Sequence, residues 1–188
     1  MEKHARKIGI LGGSFNPAHE GHLYISQQAI ALLGLDEVWW LVAKQNPLKS
    51  SDDMESFSTR FGSAEKMTKD DANIIVSDFE QQYDTQYTRD SLQKLLQMHP
   101  QNKFIWLMGS DNLKNFHKWK NWQEIFQLAP IAVLNRDKED KTSLESPAAK
   151  EFSKSRIKPN KLINHTLPAW CFLDIDVHPA SSTAIRKG

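Results

Sequence analysis

The sequence predicts an α/β fold, an open parallel sheet with helices on both faces. Three observations carry that expectation. Short apolar runs recur along the chain, at residues 8–11, 38–42, 73–76, 104–108, 131–134 and 170–175. Stretches with helical spacing of apolar residues lie between several of them. A glycine turn, Gly12-Gly13, joins the first run to the first helical stretch. Alternating strands and helices favour right-handed crossovers in a parallel sheet.

Each element has its own reason. Residues 8–11 are apolar throughout and read as a short buried strand. From Gly21 the spacing turns helical, with Ile25, Ala29, Leu32 and Leu33 on one face and Gly34 as the cap. Residues 38–42 form the second strand. Residues 44–57, with Pro47 and a Ser/Asp cluster, read as a loop. Residues 59–69 read as a helix and 73–76 as a strand. Residues 88–98 read as a helix with Leu92, Leu95 and Leu96 inward, stopped by Pro100. Residues 104–108 are the fourth strand, followed by Gly109-Ser110-Asp111-Asn112. A helical region over 119–128, the strand at 131–134 and a last strand at 170–175 complete the set. Residues 181–183 open a terminal helical turn. The whole reads as one Rossmann-like domain over 1–188, with a surface excursion at 137–161 rich in Lys, Glu and Ser.

Bulk composition narrows the function classes. The 188 residues carry 24 Lys+Arg against 23 Asp+Glu, a formal charge of +1. That balance argues against a broad nucleic-acid footprint and leaves room for a local anion pocket. The one cysteine, Cys171, excludes an internal disulfide and reads as a small core residue. The charged N-terminal segment has no secretory pattern, and no apolar run reaches membrane-spanning length. The expectation is a cytoplasmic protein acting on small molecules, without a nucleic-acid or membrane partner. Nothing in the sequence fixes whether it forms an oligomer.

Three polar segments follow predicted strands: 12–22, 109–112 and 181–186. In an open α/β sheet, ligands sit beyond the carboxyl ends of the strands, so these segments should converge. A Gly-Gly pair alone marks only a turn. Between strand and helix it lets backbone amides approach a phosphate. The chain has neither the Gly-x-Gly-x-x-Gly dinucleotide fingerprint nor a Gly-Lys-Ser/Thr P-loop. His19 and His22, in His-Glu-Gly-His, lack zinc-site spacing, so no protein metal site is expected. As donors they suit nonbridging phosphate oxygens. Ser181-Ser182-Thr183 with Arg186 offers hydroxyls, amides and a guanidinium, the parts of a phosphate clamp.

Gly-Gly-Ser-Phe-Asn-Pro-Ala-His-Glu-Gly-His and Ser-Ser-Thr-Ala-Ile-Arg together resemble the nucleotidyltransferase superfamily with the His-x-Gly-His signature. Within it the chain is most similar to the bacterial nicotinate-nucleotide adenylyltransferases. The segments 38–49, 87–92 and 108–119 add to the likeness, which runs nearly the whole chain in order. The common pattern has Asp at Asn16 and often Thr at Ser14.

The resemblance implies transfer of AMP from ATP, with Mg²⁺, to nicotinate mononucleotide. The products are nicotinate adenine dinucleotide and pyrophosphate, formed by direct attack in NAD biosynthesis. It implies that His19, His22, Lys49 and Arg186 act on the phosphates. Gly12, Gly13, Ser14, Phe15, Gly109, Asp111, Ser182 and Thr183 would bind ATP. Trp119 would stack on the pyridine ring, while Thr88 and the amide of Lys120 would receive the carboxylate. Trp122 reads instead as a core residue.

Three other functions compete with this one. Another adenylyl- or cytidylyltransferase, such as the pantetheine-phosphate enzyme, does not account for the Gly-Ser-Asp-Asn to Trp119 stretch. A class I aminoacyl-tRNA synthetase needs more domains and tRNA-binding surface. A non-catalytic nucleotide-binding regulatory module is disfavoured by the presence of both histidines, Lys49 and Arg186.

Overall fold

The computed structural model describes residues 5–44, 54–135, 141–176, 178–180 and 185. Among these residues, six strands form one sheet: β1 (Lys7–Gly13), β2 (Glu37–Val42), β3 (Ile74–Ser77), β4 (Lys103–Gly109), β5 (Ile131–Leu134) and β6 (Trp170–Leu173). Their order is β3-β2-β1-β4-β5-β6, and every pairing is parallel. The chain winds outward in one direction from β1 and in the other from β4. The crevice where it reverses lies beyond Gly13 and Gly109, the carboxyl ends of those strands.

The helices are α1 (Glu20–Leu33), α2 (Phe57–Thr68), α3 (Phe79–Gln82), α4 (Thr88–Met98), α5 (Ser110–Asn115), α6 (Trp122–Leu128) and α7 (Pro147–Glu151). Alternation along the strands feeds two cores. Leu11, Ile105 and Leu107 join Ile25, Ala29 and Ala64 of α1 and α2 on one face. Ile8, Ile10, Phe104, Trp106 and Met108 join Leu92, Leu95, Ile125 and Phe126 of α4 and α6 on the other. Both faces of the sheet are therefore covered, as a parallel sheet requires.

Several elements depart from the sequence expectation. Leu32 is 47 % exposed, whereas Ser26 is fully buried. The buried stripe of α1 is shifted toward Ser26, whose hydroxyl accepts from Trp40 Nε1 at 2.8 Å and donates to the His22 carbonyl at 2.8 Å. A polar residue thus joins the buried stripe on the side away from Leu32. Leu96 is only partly buried. Trp119 lies outside a helix: it follows the 3-10 turn Phe116–Lys118 in extended backbone, and α6 begins only after Asn121 at φ 51. The short helix α3 has too few residues to show a periodicity. Residues 141–164 are not simply a surface excursion. Ala148 and Ala149 are buried on the α6 face, and Leu162 is buried on the α1 face. Ala148 and Ala149 lie inside the predicted excursion at 137–161, amid charged neighbours, so the segment reads as polar.

Cys171 is buried in β6, and that burial pushes its thiol pKa up to about 12. Trp122 is 9 % exposed and packs against Phe116, Phe126 and Phe152, the core role expected of it.

One charged side chain ties the carboxyl end of the sheet together. Arg60 of α2 is 2 % exposed. Its Nη1 donates to the Ser14 carbonyl at 2.7 Å and to Ala43 at 2.9 Å. Its Nη2 donates to Lys44 at 3.2 Å and its Nε to Glu55 at 3.0 Å. These bonds join the turn after β1, the exit of β2 and the approach to α2. Buried Glu80 of α3 accepts from the Lys44 amide at 3.3 Å and lies 3.1 Å from Ser91 Oγ.

Burial raises the Glu80 carboxyl pKa above its usual range, while Ser91, Lys44 and the Arg60 charge oppose the shift. Between the unfolded and folded values, the folded state holds more protons. Stability is therefore highest below that window and falls as pH rises through it. Thermal midpoints measured from the ordinary glutamate range upward should fall less steeply for Glu80→Gln. Parallel curves for the two chains would exclude this titration.

Candidate active site

The site starts at the corner between β1 and α1. Gly12 allows a close approach: a Cβ there would meet Trp106 Cη2 at 2.5 Å. Phe15 turns the chain at φ 48 and is 2 % exposed. Its ring stacks on Trp40 at 4.8 Å and meets His22 at 4.8 Å. Trp40 of β2 therefore supports Phe15, and Phe15 supports the His22 imidazole.

His19 is the N-cap of α1, and the two histidines cap the helix reciprocally. The Gly21 amide donates to His19 Nδ1 at 3.1 Å, and the His19 amide donates to His22 Nδ1 at 3.2 Å. Two amides that a helix start leaves without intrahelical partners are thereby satisfied. A ring nitrogen that accepts from an amide carries its lone pair, so this pattern assigns the ring proton to Nε2 in both residues. The rings lie 3.8 Å apart between centroids. Fixed Nε2–H donors at a helix N-terminus favour an anion.

Gly21 also sets the distance to the segment that follows the last strand. A Cβ there would lie 2.8 Å from the Ala180 carbonyl and 2.9 Å from the His19 ring. His178 Nδ1 accepts from the Ala180 amide at 3.2 Å, and its ring lies 5.6 Å from Tyr24. The chain leading to Ser181 is thus held against the start of α1. Ser182, Thr183 and Arg186 lie outside the described residues, as does Lys49.

Asn16, the position that departs from the common Asp, is 7 % exposed, and its Oδ1 accepts from the Glu55 amide at 3.2 Å. A carboxylate or an amide oxygen can make that bond, so the tie survives the loss of charge. The Ser14 carbonyl oxygen accepts from Arg60 Nη1, and the Ser14 hydroxyl is buried.

The other half of the crevice forms beyond β4. Gly109 caps α5, and Asp111 sits exposed in the first turn of that helix. Thr88 is the first residue of α4. Lys120 is brought to the same helix start, its Nζ lying 4.2 Å from the Tyr87 ring centroid. Trp119 is half-buried, with its ring edge-to-face against Phe116 at 5.0 Å and Trp106 at 6.5 Å. Trp106 touches the Gly12 turn on one side and Trp119 on the other, so it floors the passage between the two halves.

Sequence reading missed Arg60, Glu80 and Trp106. Arg60 and Trp106 lie inside segments read only as helix and strand. A charged residue on the inward face of α2 was the available signal for Arg60.

The cytidylyltransferase-like family matches residues 10–188. A protein of Ruegeria sp. (strain TM1040), named "Probable nicotinate-nucleotide adenylyltransferase", is 42 % identical over 96 % of this chain and 96 % of its own length. One of Parvibaculum lavamentivorans with the same name is 46 % identical over 96 % of this chain and 91 % of its own. Among solved structures, the Plasmodium falciparum nicotinic acid mononucleotide adenylyltransferase complexed with NaAD superposes with a TM-score of 0.73. It is 20 % identical and covers 97 % of this chain and 83 % of its own, a likeness of fold. On these matches the chain belongs to the cytidylyltransferase-like family and, within it, to the nicotinate-nucleotide adenylyltransferases, which are nucleotidyltransferase enzymes.

Proposed function

We propose that this chain transfers AMP from ATP to nicotinate mononucleotide, releasing pyrophosphate and forming nicotinate adenine dinucleotide. The observation that carries this reading is the division of one crevice into two unlike halves. On one side lie a glycine turn and two oriented imidazoles. On the other lie an indole plane and a helix start with an ammonium beside it.

The mononucleotide phosphate oxygen attacks the α-phosphorus of ATP as the bond to the pyrophosphate oxygen breaks. Charge builds on nonbridging and leaving oxygens, and the reaction needs no protein nucleophile. Catalysis then rests on alignment and charge stabilisation. Gly12, Gly13, Ser14 and Phe15 shape the donor pocket, and Gly109 and Asp111 hold the ribose side. His19 and His22 donate through Nε2–H to the phosphates, with His22 serving the transition state. Lys49, Ser182, Thr183 and Arg186 are assigned to the triphosphate on sequence alone.

Magnesium belongs to this scheme as part of the substrate, neutralising the triphosphate of Mg–ATP. A cation of this kind keeps several waters and is bound largely through substrate phosphates.

For the acceptor, Trp119 offers a flat apolar surface to the pyridine ring. Thr88 and the Lys120 amide receive the carboxylate. The α4 N-terminus and the Lys120 ammonium near Tyr87 add positive potential there. A carboxylate gains from that potential and a neutral carboxamide does not. No helix among the described residues is long and apolar enough to cross a membrane.

Incubation with Mg–ATP and either mononucleotide should give faster dinucleotide formation with the nicotinate acceptor. Formation of no dinucleotide from either acceptor would sink the proposal, and faster use of the nicotinamide form would sink the carboxylate argument. His22→Ala should retain the fold, with about 0.5–2 kcal/mol lost from the helix cap, and kcat should fall by about 100-fold or more. Near-normal turnover would remove His22 from the mechanism. Gly21→Ala improves intrinsic helix propensity by about 1 kcal/mol, yet crowds His19 and Ala180. Its turnover should fall with the helical circular dichroism unchanged; unaltered kinetics would show that the corner yields freely.

A further inference from the structure

Arg60 uses four hydrogen bonds on main-chain carbonyls drawn from three separate segments, all at the edge of the sheet where substrates enter. A guanidinium has five N–H donors in a rigid plane, whereas a lysine has three on one rotating atom. Only the planar fork meets Ser14, Ala43, Lys44 and Glu55 together. Two of these, Lys44 and Glu55, flank the segment 45–53. Asn16 adds a second tie from the β1 corner to Glu55.

The connection continues past Arg60. The Lys44 amide donates to Glu80, and the Arg60 charge acts on that same carboxylate. Ser91 Oγ stands 3.1 Å from Glu80 and 2.9 Å from Thr85 Oγ1. Ser91 lies in α4, one turn beyond Thr88, and Thr85 lies just before that helix. An unbroken polar path therefore runs from the glycine corner to the helix start that faces the acceptor. The Lys44 and Glu55 side chains are exposed, but the hydrogen bonds of the path are buried or part-buried, so water does not easily substitute for a lost partner.

We propose that Arg60 is a positioning residue for the transfer reaction, fixing the donor half of the crevice relative to the acceptor half through Lys44 and Glu80. This role rests on the adenylyltransferase reading. Arg60 touches neither substrate; it acts through the carbonyls it holds. In-line transfer is sensitive to such placement, since a shift of about 1 Å can cost about 100-fold in rate.

The test compares the wild-type chain with Arg60→Lys, Arg60→Met and the double variant Arg60→Met/Glu80→Gln. Thermal midpoints are measured for each, with kcat and KM for both substrates at a temperature well below every midpoint. Arg60→Lys should fold and lose about tenfold or more in kcat, with smaller changes in either KM. Arg60→Met leaves Glu80 buried without its opposing charge and should melt lower. The double variant removes both charges and should recover much of that midpoint without recovering kcat. Wild-type kcat in Arg60→Lys, or a double variant whose kcat returns with its midpoint, overturns the positioning role and leaves only a structural one. If Arg60→Lys does not fold, the double variant decides. Absence of turnover in the wild-type chain itself would overturn the reaction assigned above, a result separate from the outcomes for Arg60.

Discussion

The structure depends on how the backbone between β1 and α1 finds hydrogen-bond partners. A chain leaving a strand and entering a helix passes through residues that belong to neither ladder. Its amides and carbonyls would be stranded at the most buried edge of the sheet. Here the amides of His19 and Gly21 are taken by imidazoles, and the carbonyl of Ser14 is taken by Arg60. The Ala43 amide supplies a partner for the Gly13 carbonyl at 2.8 Å. The residues that solve this local problem are the ones that define the crevice.

That solution has an electrostatic character. The corner gathers neutral imidazole donors, backbone amides and a helix start, while the deeply buried positive charge of Arg60 faces inward to carbonyls. At this corner, positive potential is thereby presented by donors fixed in the fold. Glu80, a buried acid of the same network, lies on α3 and accepts from the Lys44 amide at the exit of β2. Donors face the crevice and the acid stands behind it, a separation suited to binding a polyanion.

Much of this was legible in the sequence. Each strand carries an apolar run because the sheet is covered on both faces, so all six stand out by composition. The Gly-Gly corner and the histidine pair are contiguous, so their spacing in sequence carries over into space. What was hidden has common physical reasons. Ser26 is buried because it bridges Trp40 and His22, a pairing that apolar periodicity cannot register. Trp119 leaves the helix because Asn121 takes a left-handed conformation. Residues 141–164 close the cores with Ala148, Ala149 and Leu162 amid charged neighbours. Arg60 could be recognised as a hub only once three distant segments were brought within reach of one side chain.

The reciprocal histidine cap has a consequence for the chain's history as well as its chemistry. The same two side chains close the first turn of α1 and supply the proposed phosphate donors. A duplicate copy drifting free of its reaction could not discard them cheaply, because each loss would also loosen the helix on which the sheet edge is built. Selection for a soluble, folded product would keep the pair in place even where selection for turnover had lapsed. The two histidines alone are therefore a weaker sign of a working enzyme than the acceptor side of the crevice, where Thr88 and Lys120 have less to do with holding the fold.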